Sequence, residues 1–129
     1  MPSYVHVLQA YMDALGRSDY DALKSLFAPD GRVNSPFLGD MPAGPFFDRL
    51  ASASAKNVIT PIDIFVSNSG KAHATAYFRY DWTVRDGTLI TFKVMDLFTF
   101  EPDSSKIIYL DIIYDTYPIR MSAGNKYEL

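Results

Sequence analysis

Two long β-prone runs lie next to each other in the second half of the chain, and they constrain the fold more than any other feature. They cover residues 71–85 and 88–100, and Asp86-Gly87 between them is a strong signal for a two-residue hairpin. A strand as long as the first run would span roughly 50 Å if it were straight, which is too long for a domain of 129 residues. We therefore expect the strands to bend and twist, giving a concave sheet that helices can close into a cone.

The first half of the chain carries helical periodicity instead. A first helix is predicted over residues 3–15 with Ser3 as N-cap and Gly16 as its stop, a second after the capping residue Asp19, and a third over residues 46–55. Shorter strands are predicted over 32–35, 62–67 and 106–117, and a loop over 36–45. Helices followed by strands predict one α+β domain over residues 1–129, with a strongly curved, mostly antiparallel sheet wrapped around three N-terminal helices.

Composition excludes several classes of function. The chain has no cysteine, so disulfides, thiolate metal sites and cysteine nucleophiles are excluded, and His6 and His73 are its only imidazoles. A net charge of −3 without a basic stripe argues against nucleic acid as a partner. With no secretion signal and no membrane-length apolar run, we expect a cytoplasmic protein that contacts no membrane.

The hairpin signal predicts which side chains share a face of the sheet. A two-residue turn at Asp86-Gly87 places Arg85 opposite Thr88, and directly opposed residues lie on one face. The concave face then carries Tyr77, Arg79, Asp81, Phe92, Val94 and Asp96. The outer face carries Phe78, Tyr80, Trp82, Met95 and Leu97. A slip of one residue would exchange the faces, so the turn decides the prediction.

Both predicted faces are rich in aromatic and aliphatic residues. A sheet with one solvated face would show only one such face, and too little chain remains to cover the second. We therefore predict a homodimer packed sheet against sheet through the outer-face residues.

The concave face also carries charges that need partners. Arg79 could simply bridge Asp81 or Asp96, which would make all three structural. The alternative is a ligand pocket, in which an apolar site raises the pKa of one carboxyl while an Asp beside Arg79 stays ionised.

Several runs of the sequence resemble the NTF2-like superfamily, which includes ketosteroid isomerases, SnoaL-type polyketide cyclases and limonene epoxide hydrolases. The runs are residues 11–15, 18–23, 26–30, 32–36, 94–100 and 106–107. The resemblance covers nearly the whole chain and implies a conical pocket for a small molecule. It is more specific for fold than for reaction.

The resemblance also implies roles for individual residues. Similarity to the ketosteroid isomerases places Tyr11 and Asp96 as hydrogen-bond donors to an oxyanion, while Ser35 occupies the place of the general base. Similarity to the epoxide hydrolases makes Arg79 the holder of Asp81, which would activate water. Where the SnoaL-type cyclases use a His and an Asp on the last strand, this sequence has Leu110 and Ile112.

The leading hypothesis is a pocket without metal or cofactor that binds a small apolar ring or carbonyl compound, serving an isomerase- or cyclase-type reaction. Its catalytic candidates are Tyr11, Asp96, Asp81 and Arg79, and its predicted lining is Ser35, Tyr77, Phe92, Val94, Leu110 and Tyr114. The alternatives are water addition by the Arg79–Asp81 pair and a non-catalytic binding or dimerisation module.

Overall fold

Four helices and a six-stranded sheet make up residues 4–123, the part of the chain that the computed structural model describes. The predicted N-cap Ser3 lies outside the described residues. The helices are α1 (Tyr4–Gly16), α2 (Tyr20–Ser25), α3 (Ala43–Ala53) and α4 (Tyr117–Ala123). The strands are β1 (Phe27–Ser35), β2 (Gly39–Pro42), β3 (Ser54–Val66), β4 (His73–Val84), β5 (Leu89–Phe100) and β6 (Ile107–Tyr114).

The sheet confirms the predicted fold class. Its strand order is β2-β1-β6-β5-β4-β3, and all neighbours are antiparallel except β1 and β6. The pairing of β3 with β4 is interrupted near residues 54–56 and 61–63. Interruptions of this kind bend a strand and increase its twist, which lets strands this long curve around the helices.

The helices pack against the inner face of the curved sheet. Helix α1 buries Leu8, Tyr11 and Leu15, and the Tyr11 ring meets the edge of Phe98 on β5 with centroids 4.9 Å apart. Asp19 caps α2 as predicted, because its Oδ1 accepts a 3.0 Å hydrogen bond from the Ala22 amide. The core therefore lies between α1, α3 and the sheet.

Some element boundaries differ from the prediction. The predicted loop over 36–45 contains strand β2, and β3 begins at Ser54 instead of residue 62. The last strand ends at Tyr114, and residues 117–123 form α4. Asp115 accepts a 2.9 Å hydrogen bond from the Tyr117 amide, which starts a helix where the pattern predicted a strand.

The predicted register of the β4–β5 hairpin is wrong by one residue. Val84, not Arg85, lies opposite Thr88: its amide donates to the Thr88 carbonyl at 2.9 Å. The connection is a three-residue loop, in which the Gly87 amide bonds the Val84 carbonyl at 2.9 Å and Gly87 adopts a φ of 94°. This is the turn-plus-bulge arrangement common in three-residue hairpins. The Asp86 carboxylate supports it by accepting from the Thr88 amide at 2.9 Å.

The register change moves every side chain of β4 to the opposite face. Phe78 pairs with Val94, Tyr80 with Phe92 and Trp82 with Ile90, all on the inner face. The prediction that Phe78, Tyr80 and Trp82 form a dimer interface is therefore wrong. Arg79 pairs with Lys93 and Asp81 with Thr91 on the outer face, where Met95 and Leu97 lie as predicted.

Candidate functional site

A cavity of about 840 Å³ lies between helices α1 and α3 and the inner face of strands β4, β5 and β6. Its size falls within the roughly 300–1,000 Å³ typical of pockets for small molecules. The sheet contributes mostly apolar and aromatic side chains to its wall: Phe78, Tyr80, Trp82, Ile90, Phe92 and Tyr114. Such a wall suits an apolar ring.

Ring contacts and hydrogen bonds hold this wall in place. The Phe92 ring stacks on Tyr80 with centroids 5.2 Å apart and contacts Tyr114 at 4.9 Å. The Trp82 indole donates a 2.8 Å hydrogen bond to Oγ of Ser54, which in turn donates to the Leu50 carbonyl at 2.6 Å. These contacts fix the positions of the side chains in the wall.

Among residues 4–123, Asp96 is the one carboxyl in the interior of the cavity wall. Its side chain is 2% exposed, and its cross-strand neighbours are Ala76 and Ile112. Burial raises the pKa of Asp96 well above its ordinary value, the charge of Asp111 adds to the rise, and a hydrogen bond from Tyr11 opposes it. The Oδ1 atom has no hydrogen-bond partner within residues 4–123. A buried oxygen of this kind is rare and calls for a partner.

Tyr11 contributes the second polar group beside Asp96. It projects from α1 and is 2% exposed. Burial raises the pKa of its hydroxyl well above the ordinary value, and the Asp96 charge raises it further. Tyr11 therefore keeps its proton near neutral pH and acts as a hydrogen-bond donor.

Tyr80 brings a third hydroxyl to this part of the cavity, held by a buried amide. It donates a 2.6 Å hydrogen bond to Oδ1 of Asn57, and Nδ2 of Asn57 donates to the Tyr20 hydroxyl at 2.9 Å and to Oγ of Ser18 at 3.2 Å. Asn57 is 3% exposed, so the network satisfies its buried amide. The proton of Tyr80 is committed to Asn57, which leaves its oxygen free to accept a hydrogen bond from a ligand.

Ser35 lines the cavity as predicted, at the end of β1. Its Oγ accepts a 3.2 Å hydrogen bond from the Leu38 amide and so supports the following turn. A serine hydroxyl without an adjacent base does not abstract a proton from carbon. Ser35 therefore contributes shape and polarity to the site.

Two arginines and one aspartate stand at the mouth of the cavity. Arg49 belongs to α3, and Arg85 and Asp86 belong to the β4–β5 loop. The Arg85 guanidinium donates to the carbonyls of Ser52 and Ala51, both at 3.0 Å, at the C-terminal end of α3. The loop and the helix end are thereby joined at one side of the opening.

Three predicted site residues lie on the outer face instead of in the cavity. Arg79 and Asp81 form a 3.1 Å ion pair there, with 53% and 20% of their side chains exposed. Thr91 donates a 2.6 Å hydrogen bond to the same carboxylate, and the Thr91 and Arg79 bonds lower the pKa of Asp81. Tyr77 shares this face, opposite Met95. The hairpin register explains all three errors.

Leu110 is also not part of the cavity lining. It is fully buried in the core opposite Phe98, one inward position before the cavity-lining Ile112. By contrast Tyr11, Asp96, Ser35, Phe92, Val94 and Tyr114 line the cavity as predicted. Ile112 points inward, and Asp111 lies beside it on the other face, where it accepts a 3.1 Å hydrogen bond from Asn34.

The sequence-based prediction of the site did not include Asn57, Arg49 or Arg85. Asn57 lies in the part of β3 that carried no strand signal. Arg49 did carry a signal, since it interrupts the apolar stripe formed by Phe46, Leu50 and Ala53 on α3.

Two further classes of feature are absent within residues 4–123. No cluster of three or more His, Asp or Glu side chains in this part of the chain could hold a metal ion. None of its helices is both long and apolar enough to cross a membrane.

A curved sheet closed by helices around an apolar cavity defines the NTF2-like class of folds, also described as cystatin-like, and solved structures of both descriptions are similar to this chain. Within that class, the chain belongs to the SnoaL-like domain family, whose model matches residues 8–109. This confirms the resemblance found in the sequence.

Three solved structures illustrate how widely this fold is used. A putative isomerase from Bacillus subtilis is 12% identical with a TM-score of 0.79, and the match covers 98% of this chain and 96% of that one. An NTF2-like protein of unknown function from Burkholderia pseudomallei is 18% identical with a TM-score of 0.78, covering 95% and 98%. An LEH-like epoxide hydrolase from M. tuberculosis is 13% identical with a TM-score of 0.72, covering 92% and 87%.

Identities this low show the fold alone, because proteins of one fold carry different reactions in differently lined pockets. No protein of curated function matches this sequence.

Proposed function

We propose that the cavity binds a small apolar ring compound through a carbonyl or phenolic oxygen, and that Tyr11 and Asp96 donate hydrogen bonds to that oxygen. The observation that carries this proposal is the buried Oδ1 of Asp96, which lines the cavity and lacks a partner within the described residues. A protonated carboxyl has one O–H group to donate. The Tyr11 hydroxyl donates to the carboxyl from one side, so the unpartnered oxygen is the natural position for the carboxyl proton. When the ligand binds, the Tyr11 hydroxyl turns from the carboxyl to the ligand oxygen.

The same donors would favour an isomerase- or cyclase-type reaction. Hydrogen bonds placed where negative charge develops stabilise a transition state more strongly than a neutral ground state. A carbonyl compound that loses a neighbouring proton, or closes a ring through its enolate, develops such charge on oxygen. Ser35 cannot serve as the base, so oxyanion stabilisation is the step that we propose for this chain.

Water addition to an epoxide is not proposed. That alternative relied on Arg79 holding Asp81 inside the pocket, and the pair lies on the outer face of the sheet. Asp81 therefore offers a control for binding experiments, since it is an aspartate outside the cavity.

The binding test uses 2-naphthol as a neutral apolar ring with one oxygen. Isothermal titration calorimetry measures the affinity, because naphthol fluorescence overlaps the emission of Trp82, the only tryptophan. We expect Asp96→Asn to weaken binding about tenfold, because the amide that replaces the carboxylic acid is a weaker donor. Asp81→Asn should leave the affinity unchanged. Equal affinity of parent and Asp96→Asn protein would overturn the proposal.

A second measurement separates an enzyme from a binding module. The α-protons of 2-tetralone exchange in D₂O through an enolate, and NMR follows that exchange. Parent protein should speed the exchange, and Asp96→Asn protein should speed it less. Exchange at the buffer rate, together with Asp96-dependent binding of 2-naphthol, would assign a binding role without catalysis.

We also propose that the outer face of the sheet forms a homodimer, around a centre different from the predicted one. An apolar row crosses this face and consists of the cross-strand neighbours Ile113, Met95 and Tyr77. Ile113 is 52% exposed and Met95 is 40% exposed. Lys93 lies to one side of this row and Asp111 to the other. A two-fold axis through the apolar row would bring Lys93 of one copy toward Asp111 of the other, so charge complementarity favours a second copy as the occupant.

A further inference from the structure

One charged residue belongs to the helix face that lines the cavity. Phe46, Arg49, Leu50 and Ala53 follow one another at helical spacing on α3, and all four line the cavity. Arg49 takes part in none of the ion pairs among residues 4–123. The adjacent acidic residue Asp48 is engaged on the other side of the helix, where it binds Lys24 of α2 at 2.5 Å.

A second guanidinium stands at the same opening in a fixed position. Arg85 is held by its two bonds to the carbonyls of residues 51 and 52, and its own amide bonds the Ala53 carbonyl at 3.0 Å. These bonds use Nε and one NH₂ group, and the other NH₂ group has no such bond within residues 4–123. Positioned donors of this kind match the planar geometry of a carboxylate.

The acidic residue at the mouth does not cancel these charges. Hydrogen bonds from Thr88 lower the pKa of Asp86, so its carboxylate is ionised near neutral pH. It pairs with neither Arg49 nor Arg85 within the described residues. Counting the described residues, the opening therefore carries two cations against one anion, above an apolar interior that ends at Tyr11 and Asp96.

We propose that the ligand is an amphiphilic acid: its ring oxygen lies at Tyr11 and Asp96, and an anionic group, such as a carboxylate, lies at the mouth between Arg49 and Arg85. This inference rests on the proposed function and names its ligand class. The apolar body of the ligand spans the aromatic wall between the two polar ends. Long-range attraction to the two cations also raises the concentration of anions at the opening.

The test compares two series of compounds that differ only at one end. One series is the 4-alkylphenols, and the other is the 4-hydroxyphenylalkanoates of matching chain length, from propanoate to hexanoate. Both present a phenol to Tyr11 and Asp96, and only the second presents a carboxylate to the mouth. Varying the chain length identifies the acid whose phenol and carboxylate reach Asp96 and the two arginines at the same time.

At the best length, the acid should bind roughly three- to tenfold more tightly than its alkylphenol, the gain that partly exposed ion pairs give. Arg49→Gln should remove most of that gain, so that the ratio of the two affinities falls toward one. Arg17→Gln changes the net charge equally but lies outside the cavity, in an ion pair with Asp13, and should change neither affinity. The gain should also shrink between about 20 mM and 300 mM salt.

The outcomes separate this inference from the proposed function. Equal affinity of acid and alkylphenol at every length overturns the anion site, while Asp96-dependent binding of the alkylphenols keeps the proposed function. Binding of the acids that depends on Arg49 but not on Asp96 supports the mouth site and overturns the Asp96 role. If neither series binds, both proposals are wrong.

Discussion

The Tyr80 hydroxyl donates a 2.6 Å hydrogen bond to Oδ1 of Asn57, and this bond links the cavity wall to the α1–α2 connection. Asn57 in turn donates hydrogen bonds to the hydroxyls of Tyr20 and Ser18. Ser18 has a φ of 56°. Positive φ is unfavourable for a residue with a side chain. The network thus fixes Tyr80 in the wall and stabilises an unfavourable backbone conformation at the same time.

Replacing Tyr80 by Phe should therefore destabilise the fold. The ring keeps its stacking on Phe92, but Oδ1 of the buried Asn57 loses its donor. We expect the free energy of unfolding to fall by about 1–3 kcal/mol, measured by urea denaturation. Tyr77→Phe on the outer face of the same strand is the matched control and should change it by less than about 0.5 kcal/mol. Equal effects of the two substitutions would contradict a structural role for the network.

The wrong predictions for Tyr77, Arg79 and Asp81 came from one turn. Asp86-Gly87 suits a two-residue hairpin, but it also suits the three-residue loop that the chain forms. The alternation within β4 itself favours the observed orientation, because Phe78, Tyr80 and Trp82 share one face and Arg79 and Asp81 the other, but the two-residue turn signal indicates the opposite orientation. On β5 the inward set Phe92, Val94 and Asp96 was predicted correctly, so the slip reversed β4 alone.

Other parts of the site were predictable to different degrees. Helical periodicity and the family resemblance together indicated Tyr11, and the face of the sheet and the same resemblance indicated Asp96. Asn57 could not be found, since its value lies in tertiary contacts with Ser18, Tyr20 and Tyr80 that no local pattern encodes. The overall fold was the easiest feature to predict, because strand length and the order of helices and strands limit a short chain to few architectures.

The conformation of the hairpin loop can be tested by a pair of glycine substitutions with opposite effects. Gly87 has a φ of 94°, so Gly87→Ala forces a side chain into a strained backbone conformation and should destabilise by about 1 kcal/mol or more. Gly44 lies inside α3 with no heavy atom within 4 Å of an added Cβ, and Gly44→Ala should stabilise by up to about 1 kcal/mol. Thermal unfolding measures both. Stabilisation by Gly87→Ala would contradict the three-residue loop.

The buried Asp96 should make stability depend on pH. Burial raises its pKa in the folded chain, so the folded chain holds this proton over a range where the unfolded chain has released it. The stabilisation from the protonated Asp96 carboxyl is fully present below about pH 4. It is lost as the pH rises through the raised pKa of Asp96. Asp96→Asn cannot ionise and should be spared this loss.

The measurement is urea denaturation of parent and Asp96→Asn protein from pH 4 to pH 8. The advantage of the variant should grow with pH by up to about 1.4 kcal/mol per unit until the raised pKa is reached. Asp103→Asn, at an exposed position in the β5–β6 turn, is the control. Its free energy of unfolding should change with pH in parallel with that of the parent. If the Asp96→Asn curve also ran parallel, Asp96 would be ionised in the folded state, and its role as a donor would fail.

The outer-face dimer predicts that a charge in the apolar row separates the copies. Met95 is 40% exposed between Tyr77 and Ile113, so Met95→Glu would bury a carboxylate against the same row of the partner copy. An unpaired charge in a buried interface is costly. The parent should sediment at twice the mass of one chain and the variant at the mass of one, in analytical ultracentrifugation at the same concentration.

Met121→Glu gives the same chemical change at a different surface. Met121 lies on α4 and is 66% exposed. The Met121→Glu protein should therefore sediment at the same mass as the parent. Because the cavity opens on the other face of the sheet, monomeric Met95→Glu protein should still bind 2-naphthol with the parent affinity. A parent chain that sediments as a monomer would refute the dimer and leave the cavity proposals standing, since no side chain of the outer face takes part in them.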